Sequence, residues 1–153
     1  MKIRTAGNQD ITEIENLYSQ LFSAMAALQP DFIRPASVDR AFIKRNIEET
    51  ESDILIAQEN DCTKGFLLIQ EKETPPYACF VPHRYAYIMD ISVDECSRGK
   101  GVGTMLLQQA VVWAKERNLE YIELGVLTGN EEADRLYEKM GFTDVQKTMR
   151  CRL

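Results

Sequence analysis

Histidine is nearly absent from this sequence of 153 residues, with His83 the only one. That excludes a His-rich metal cluster and leaves little from which to build a Ser-His-Asp triad. The four cysteines, Cys62, Cys79, Cys96 and Cys151, stand far apart. They form neither a CxxC redox pair nor the close-spaced pairs of a zinc site, so free thiols are expected and no metal. No apolar run approaches membrane-spanning length, and Met1–Thr5 enters strand-like alternation without a signal-peptide stretch. A cytoplasmic protein with no membrane partner is the expectation. Positive charge is short too: 18 Lys and Arg stand against 24 Asp and Glu, a net charge of -6. This disfavours a nonspecific grip on nucleic-acid phosphates and ranks cationic small molecules or basic peptides higher as partners. Internal repeats and low-complexity tracts are lacking, and the proline-rich breaks at 30–35 and 75–82 read as loops, not linkers. With 44% hydrophobic residues, residues 1–153 are expected to form a single domain around one substantial core.

What is present is a change of period along the chain. A short strand is expected at Lys2–Thr5. Asp10 with Glu13 then reads as a helix start, followed by Ile11, Ile14, Leu17, Tyr18, Leu21, Phe22 and Met25 at helical spacing. Ser37 is expected to cap a second helix running through Glu49. Asp53–Glu59 and Thr63–Glu71 are β-branched apolar runs joined by Asn60-Asp61, a pair that tolerates the left-handed geometry of a tight hairpin. Tyr85–Val93 reads as a third long strand. It leads into Arg98-Gly99-Lys100-Gly101-Val102-Gly103, where helical spacing resumes through Leu106, Ala110 and Trp113. Asn118 suits a helix end, Tyr121–Val126 a strand, and Asn130–Met140 a short helix closed by Gly141. A last strand over Phe142–Leu153 completes an α/β or α+β chain.

A strand that delivers successive amides through a glycine turn into a helix start makes an anion cradle. The first amides lack intrahelical partners and the helix dipole favours negative charge. Gly99, Gly101 and Gly103 let the backbone turn and approach a phosphate, and Arg98 and Lys100 add countercharge. The P-loop pattern does not fit, because Lys100 is followed by Gly101 and the preceding glycine lies too close. The dinucleotide fingerprint fails because its third glycine would fall on Leu106.

Arg98-x-x-Gly101-x-Gly103 resembles the Arg/Gln-x-x-Gly-x-Gly/Ala signature of the GNAT superfamily of acyl-CoA-dependent N-acyltransferases. Ile91-Ser92-Val93 looks like that family's cofactor-pairing strand. Asn130-x-x-Ala133-x-x-Leu136-Tyr137-Glu138-Lys139-x-Gly141-Phe142 looks like its later helix and turn. The resemblance spans about residues 85–145 in the right order and separation. It implies a mixed, mostly antiparallel twisted sheet flanked by helices, with central strands that splay to admit a pantetheine arm along Ile91 and Val93. It further implies acetyl-CoA as co-substrate, held by Arg98, Gly99, Lys100, Gly101, Val102, Gly103, Thr104, Asn130, Ala133 and Tyr137. The Ile91 N–H would face the thioester carbonyl, and Tyr137 would protonate the departing thiolate.

The departures concern the base that frees the attacking amine. Aligned on the glycine turn, the usual base positions fall on Tyr87, Met89 and Gly125, none a carboxylate or imidazole. Glu123 is the tentative base, with Asp90 and His83 nearby in sequence. Strand alternation sets Asp90 on the face opposite Tyr87, Met89 and Ile91. His83, Tyr85 and Tyr87 are the tentative acceptor contacts, approached by an aromatic-rich stretch that includes Tyr77 and Phe80. The expected activity is acetyl transfer to a small-molecule or peptide primary amine by direct attack in a ternary complex. The rival from another class is a regulatory module that binds acyl-CoA without chemistry, and a nucleotide-binding domain stands third. Neither nucleic acid nor membrane is an expected partner, and a homodimer is left open.

Overall fold

The computed structural model describes residues 1–153. Its strands β1 (Lys2–Thr5), β2 (Ser52–Glu59), β3 (Cys62–Glu73), β4 (Arg84–Val93) and β5 (Ile122–Leu124) form one sheet in sequence order. The first four run antiparallel, and β5 is parallel to β4. Helices α1 (Ile11–Leu28), α2 (Arg40–Glu48), α3 (Val102–Glu116) and α4 (Glu131–Lys139) flank it. None of them is long and apolar enough to cross a membrane.

Alternation along the strands divides the apolar residues into two cores, one on each face of the sheet. Ile54, Ile56, Phe66 and Leu68 are buried against Ile14, Leu17 and Tyr18 of α1 and Ile43 of α2. Their neighbours Leu55, Ala57, Leu67 and Ile69 turn the other way, onto Leu106, Leu107, Ala110 and Trp113 of α3 and Tyr137 of α4. The Asn60-Asp61 turn joins β2 to β3 with both residues at positive φ, +51° and +60°, as the type I′ hairpin requires. Asp10 fixes the entry to α1. Its carboxylate accepts from both terminal nitrogens of Arg4 and from the Gly7 N–H, each at 2.8 Å. The hydrogen bond from Arg4 holds the Asp10 carboxyl below the usual carboxylate range.

Several sequence expectations shift. The second helix is capped by Asp39, whose carboxylate accepts from the Ala41 N–H at 2.9 Å; Ser37 lies in the extended stretch before it. Both residues are good caps. The segment first meets the core through Val38 while still extended, and the helix begins after it, at Arg40, with Phe42, Ile43 and Ile47 on its inner face. The strand expected over Tyr121–Val126 is confined to Ile122–Leu124 because β4 offers partners only over Ala86–Ile88. No strand forms over Phe142–Leu153. Past Phe142 that segment lies exposed, and none of its backbone groups bonds to another backbone group in the chain. A strand pattern needs an edge to pair with, and this chain brings none against it.

Candidate active site

The strands β4 and β5 part company after Ile88 and Leu124, and a cleft opens between them. Leu124 to Leu127 line one wall and Met89, Asp90 and Ile91 the other, with Leu21, Met25 and Leu28 of α1 on one side and Asn130 and Tyr137 on the other. A β-bulge shapes the β4 wall: Leu68 pairs with Asp90 while Ile69 pairs with Ile88, leaving Met89 as the extra residue. Before the bulge, the Ala86 N–H donates to Tyr121 O at 2.9 Å, toward β5. After it, the Asp94 N–H donates to Lys64 O at 2.9 Å, toward β3. Amides alternate in direction along a strand, so those of Ile91 and Val93 face the cleft, where β5 has left them without a ladder partner.

Beyond Val93, a 3-10 turn at Glu95–Ser97 leads into the glycine turn. Gly99 and Gly101 have φ of +72° and +82°, and a Cβ built on either would meet no protein atom within 4 Å. Both are glycines because of backbone conformation, and the space above them is open. The first helical hydrogen bond is Met105 N–H to Gly101 O at 3.1 Å, and the amides of Gly99 through Thr104 have no partner in the protein. A row of unpartnered amides at a helix N-terminus suits an anion such as the pyrophosphate of coenzyme A. Arg98 donates to Val93 O at 3.3 Å and Lys100 to Cys96 O at 2.8 Å, which keeps both cations at the rim. Gly103 has another reason to be glycine: a Cβ there would stand 2.9 Å from Leu136 Cδ2. Its missing side chain lets α3 pack closely on α4.

Tyr137 is buried, tilted against Phe142 at 5.8 Å between ring centroids, and its hydroxyl has no hydrogen-bond partner in the protein. Burial pushes it up to about 12, with Asp134 adding to the shift. Asn130 lines the cleft and caps α4, its side-chain oxygen accepting from the Ala133 N–H at 3.2 Å. Ala133 itself packs against the core on the α3 face and does not line the cleft.

The acceptor-side residues separate. His83 sits 3.0 Å from Glu120 at the exposed start of β4 and does not line the cleft. Tyr85 stacks on Tyr121, with centroids 4.9 Å apart and planes 10° from parallel. Burial, then the neighbouring Glu123, Tyr121 and Tyr87, raise the Tyr85 hydroxyl above its ordinary value. Glu123 pairs with Tyr87 across β4 and β5 and lies outside the cleft. Asp90 lies within it. The bulge overturns simple alternation and turns Asp90 onto the α1 face of the sheet, the face of Tyr87, although still opposite Ile91. Tyr18 of α1 donates to its carboxylate at 2.8 Å. Burial raises the Asp90 carboxyl above the usual range, and the Tyr18 hydrogen bond opposes part of that rise. Sequence reading passed over Tyr18, whose only signal was a phenol at an inner helical position, where a buried hydroxyl must find a partner. No cluster of three or more His, Cys, Asp or Glu side chains is placed to hold a metal.

Comparison with known proteins bears on this geometry. The sequence model of the Acetyltransferase (GNAT) family matches residues 11–142. The uncharacterized N-acetyltransferase YhfO of Bacillus subtilis is 31% identical over 147 residues, covering 94% of this chain and 91% of that protein. An L-2,4-diaminobutyric acid acetyltransferase of Halalkalibacterium halodurans is 27% identical over 89 residues, 56% of this chain and 42% of that one. Among solved structures, a tetramutant of the BH1408 protein of Bacillus halodurans superposes with a TM-score of 0.93 at 27% identity, covering 100% of both chains.

Proposed function

The chain belongs to the GNAT family of acetyltransferases, and from that premise we propose that it moves an acetyl group from acetyl-CoA to a primary amine by direct attack in a ternary complex. The observation that carries this reading is the continuity of two features. The cleft with the free amides of Ile91 and Val93 runs toward a turn whose amides from Gly99 to Thr104 are unpartnered. An extended pantetheine arm would pair with the first as an added strand while its pyrophosphate meets the second. Arg98 and Lys100 supply countercharge there, and Val102, Gly103 and Thr104 contribute backbone amides. Asn130 and Ala133 act by holding the start of α4.

In this reading the Ile91 N–H donates to the carbonyl oxygen as it gains negative charge during attack. Tyr137 then gives its proton to the leaving sulfur. Of the two carboxylates on the acceptor side, Asp90 is the proton acceptor. It lines the cleft beside Ile91 and Tyr137, and its raised affinity for a proton suits it to take one from an ammonium group. Glu123, with Tyr85 and Tyr87, serves the same face as a contact for a cationic acceptor. A small-molecule or peptide amine fits that set, and the diaminobutyrate enzyme's name supports an amino-acid-like amine as a first trial. The shared sheet between the two cores supports treating residues 1–153 as one domain. The test is a panel of amines and peptides with acetyl-CoA, followed by thiol release and by mass of the product. Acetylation of at least one primary amine is expected, and binding of acetyl-CoA without transfer to any amine would overturn the reading.

A further inference from the structure

Helix α1 outruns the core it covers. Its apolar stripe begins with Ile11, Ile14, Leu17 and Tyr18, which are buried in the core on the α1 face. At the same spacing it continues through Leu21, Ala24, Met25 and Leu28, which line the cleft. The last three pack into neither core. Across the cleft stand Met89 on the bulge and Val126 and Leu127 after β5. Leu28, Met89 and Val126 are 37%, 38% and 44% exposed. A Cβ on Gly129 would stand 3.6 Å from Leu28 Cδ2, so the loop after β5 reaches the end of α1. Apolar surface is thus left open to water on both sides of one cleft, where a single ligand can cover it.

The cleft carries a single charge. Asp90 is the only Asp, Glu, Lys, Arg or His side chain that lines it, and none of the 18 Lys and Arg does. Arg150 and Arg152, which reach the chain just beyond α1, are engaged there: Arg152 meets Asp31 at 2.7 Å, and Arg150 lies 3.5 Å over the Phe32 ring. The neutral polar side chains, Asn130 and Tyr137, stand at α4, on the side proposed for the cofactor. Every side chain that α1 brings to the cleft is apolar. A carboxylate on the acceptor would lie among them without a cation, and beside Asp90 it would meet a like charge. A second ammonium group further along the same stripe would also lack a partner. An alkyl or aryl group gains by leaving water there.

On the acetyl-transfer reading, on which this inference rests, we propose that the acceptor is a primary monoamine with an apolar body, an alkylamine or arylalkylamine without a carboxylate. Its nitrogen stands at Asp90, and its body lies along the α1 stripe from Leu21 to Leu28, against Met89 and Val126. The pantetheine arm keeps the Ile91 side, so the two reactants approach from opposite faces of the sheet and meet where β4 and β5 part. Asp90 takes one proton from the ammonium group and passes it to water. The neutral nitrogen then forms the C–N bond as the C–S bond breaks, and the sulfur takes the Tyr137 proton. The second proton lost by nitrogen restores the phenol through water, so an amide, a free thiol and one proton are released.

The full chain is given acetyl-CoA with matched acceptors: pentylamine, its carboxylated counterpart norleucine, and the corresponding terminal diamine, with rates expressed per free amine. The kcat/KM for pentylamine should exceed the other two about 100-fold or more, and should rise about threefold with each methylene from propylamine to pentylamine. Leu28→Arg, at a position partly open to water, sets a cation at the cleft and should move the ratio of pentylamine to norleucine about tenfold toward norleucine. Calorimetry of the same amines on the chain saturated with coenzyme A repeats the comparison without turnover. Acetylation of norleucine or the diamine as fast as pentylamine overturns the proposal and leaves the acetyltransferase reading standing. A ratio that Leu28→Arg does not move overturns it too. If no amine is acetylated, that reading fails and calorimetry decides this one. Pentylamine bound about tenfold or more tighter than norleucine supports it, and equal or absent binding overturns it.

Discussion

Burial pushes Tyr137 up to about 12, so the phenol keeps its proton across the pH range in which a primary amine becomes nucleophilic. In the proposed reaction it serves as a donor whose supply does not vary with pH there. Tyr137→Phe retains the packing on Phe142 and removes the proton. Turnover under single-turnover conditions should fall about 10²-fold while acetyl-CoA affinity by calorimetry stays within about twofold. Asp90 gives the pH dependence. Its folded pKa is raised, so the folded chain holds this proton more tightly than the unfolded chain, and stability is lost as pH rises from the ordinary carboxylate range through the folded value. At neutral pH the buried carboxylate therefore opposes folding. Asp90→Asn keeps an acceptor for the Tyr18 hydroxyl and removes the charge. The melting temperature at neutral pH should rise by roughly 2–4 °C, while kcat/KM falls about 10²-fold and recovers in part at high pH, where the amine is already free. A destabilised, fully active Asp90→Asn would remove Asp90 from the mechanism.

Among the elements, the glycine turn separates two reasons for the same residue. Gly101 is glycine because its φ is +82° and the space above it is open, whereas Gly103 is glycine because Leu136 packs where its side chain would be. Gly101→Val should therefore weaken acetyl-CoA binding about tenfold or more by reshaping the amide cradle, with far-ultraviolet dichroism unchanged. Equal affinity in calorimetry would show that the turn does not hold the cofactor. The turn was legible in sequence because a strand, its glycines and the helix behind them are contiguous, and each is set by local backbone preferences. The facing of Asp90 was not legible. It depends on Met89 bulging against β3, and strand alternation read from β4 alone sends the side chain to the wrong face.

Across the whole molecule, one sheet carries both halves of the proposed chemistry. The α3 and α4 face presents the cradle and Tyr137, the α1 and α2 face presents Tyr18, Asp90, Tyr85 and Glu123, and the two meet where β4 and β5 part. Much of this was fixed by the chain alone. Periodicity set the helices and four of the strands, the Asn60-Asp61 pair set the hairpin, and the motifs from Ile91 to Phe142 pointed to the family, because each rests on neighbours a few residues apart. Tertiary structure decided the rest. Whether Glu123 or Asp90 lines the cleft, whether His83 comes near it, what fills the space beside Gly103, and whether Phe142–Leu153 finds a sheet all depend on partners tens of residues away. The burial and hydrogen bonding of a side chain are properties of what packs against it, and a strand exists only where another edge is there to pair with it.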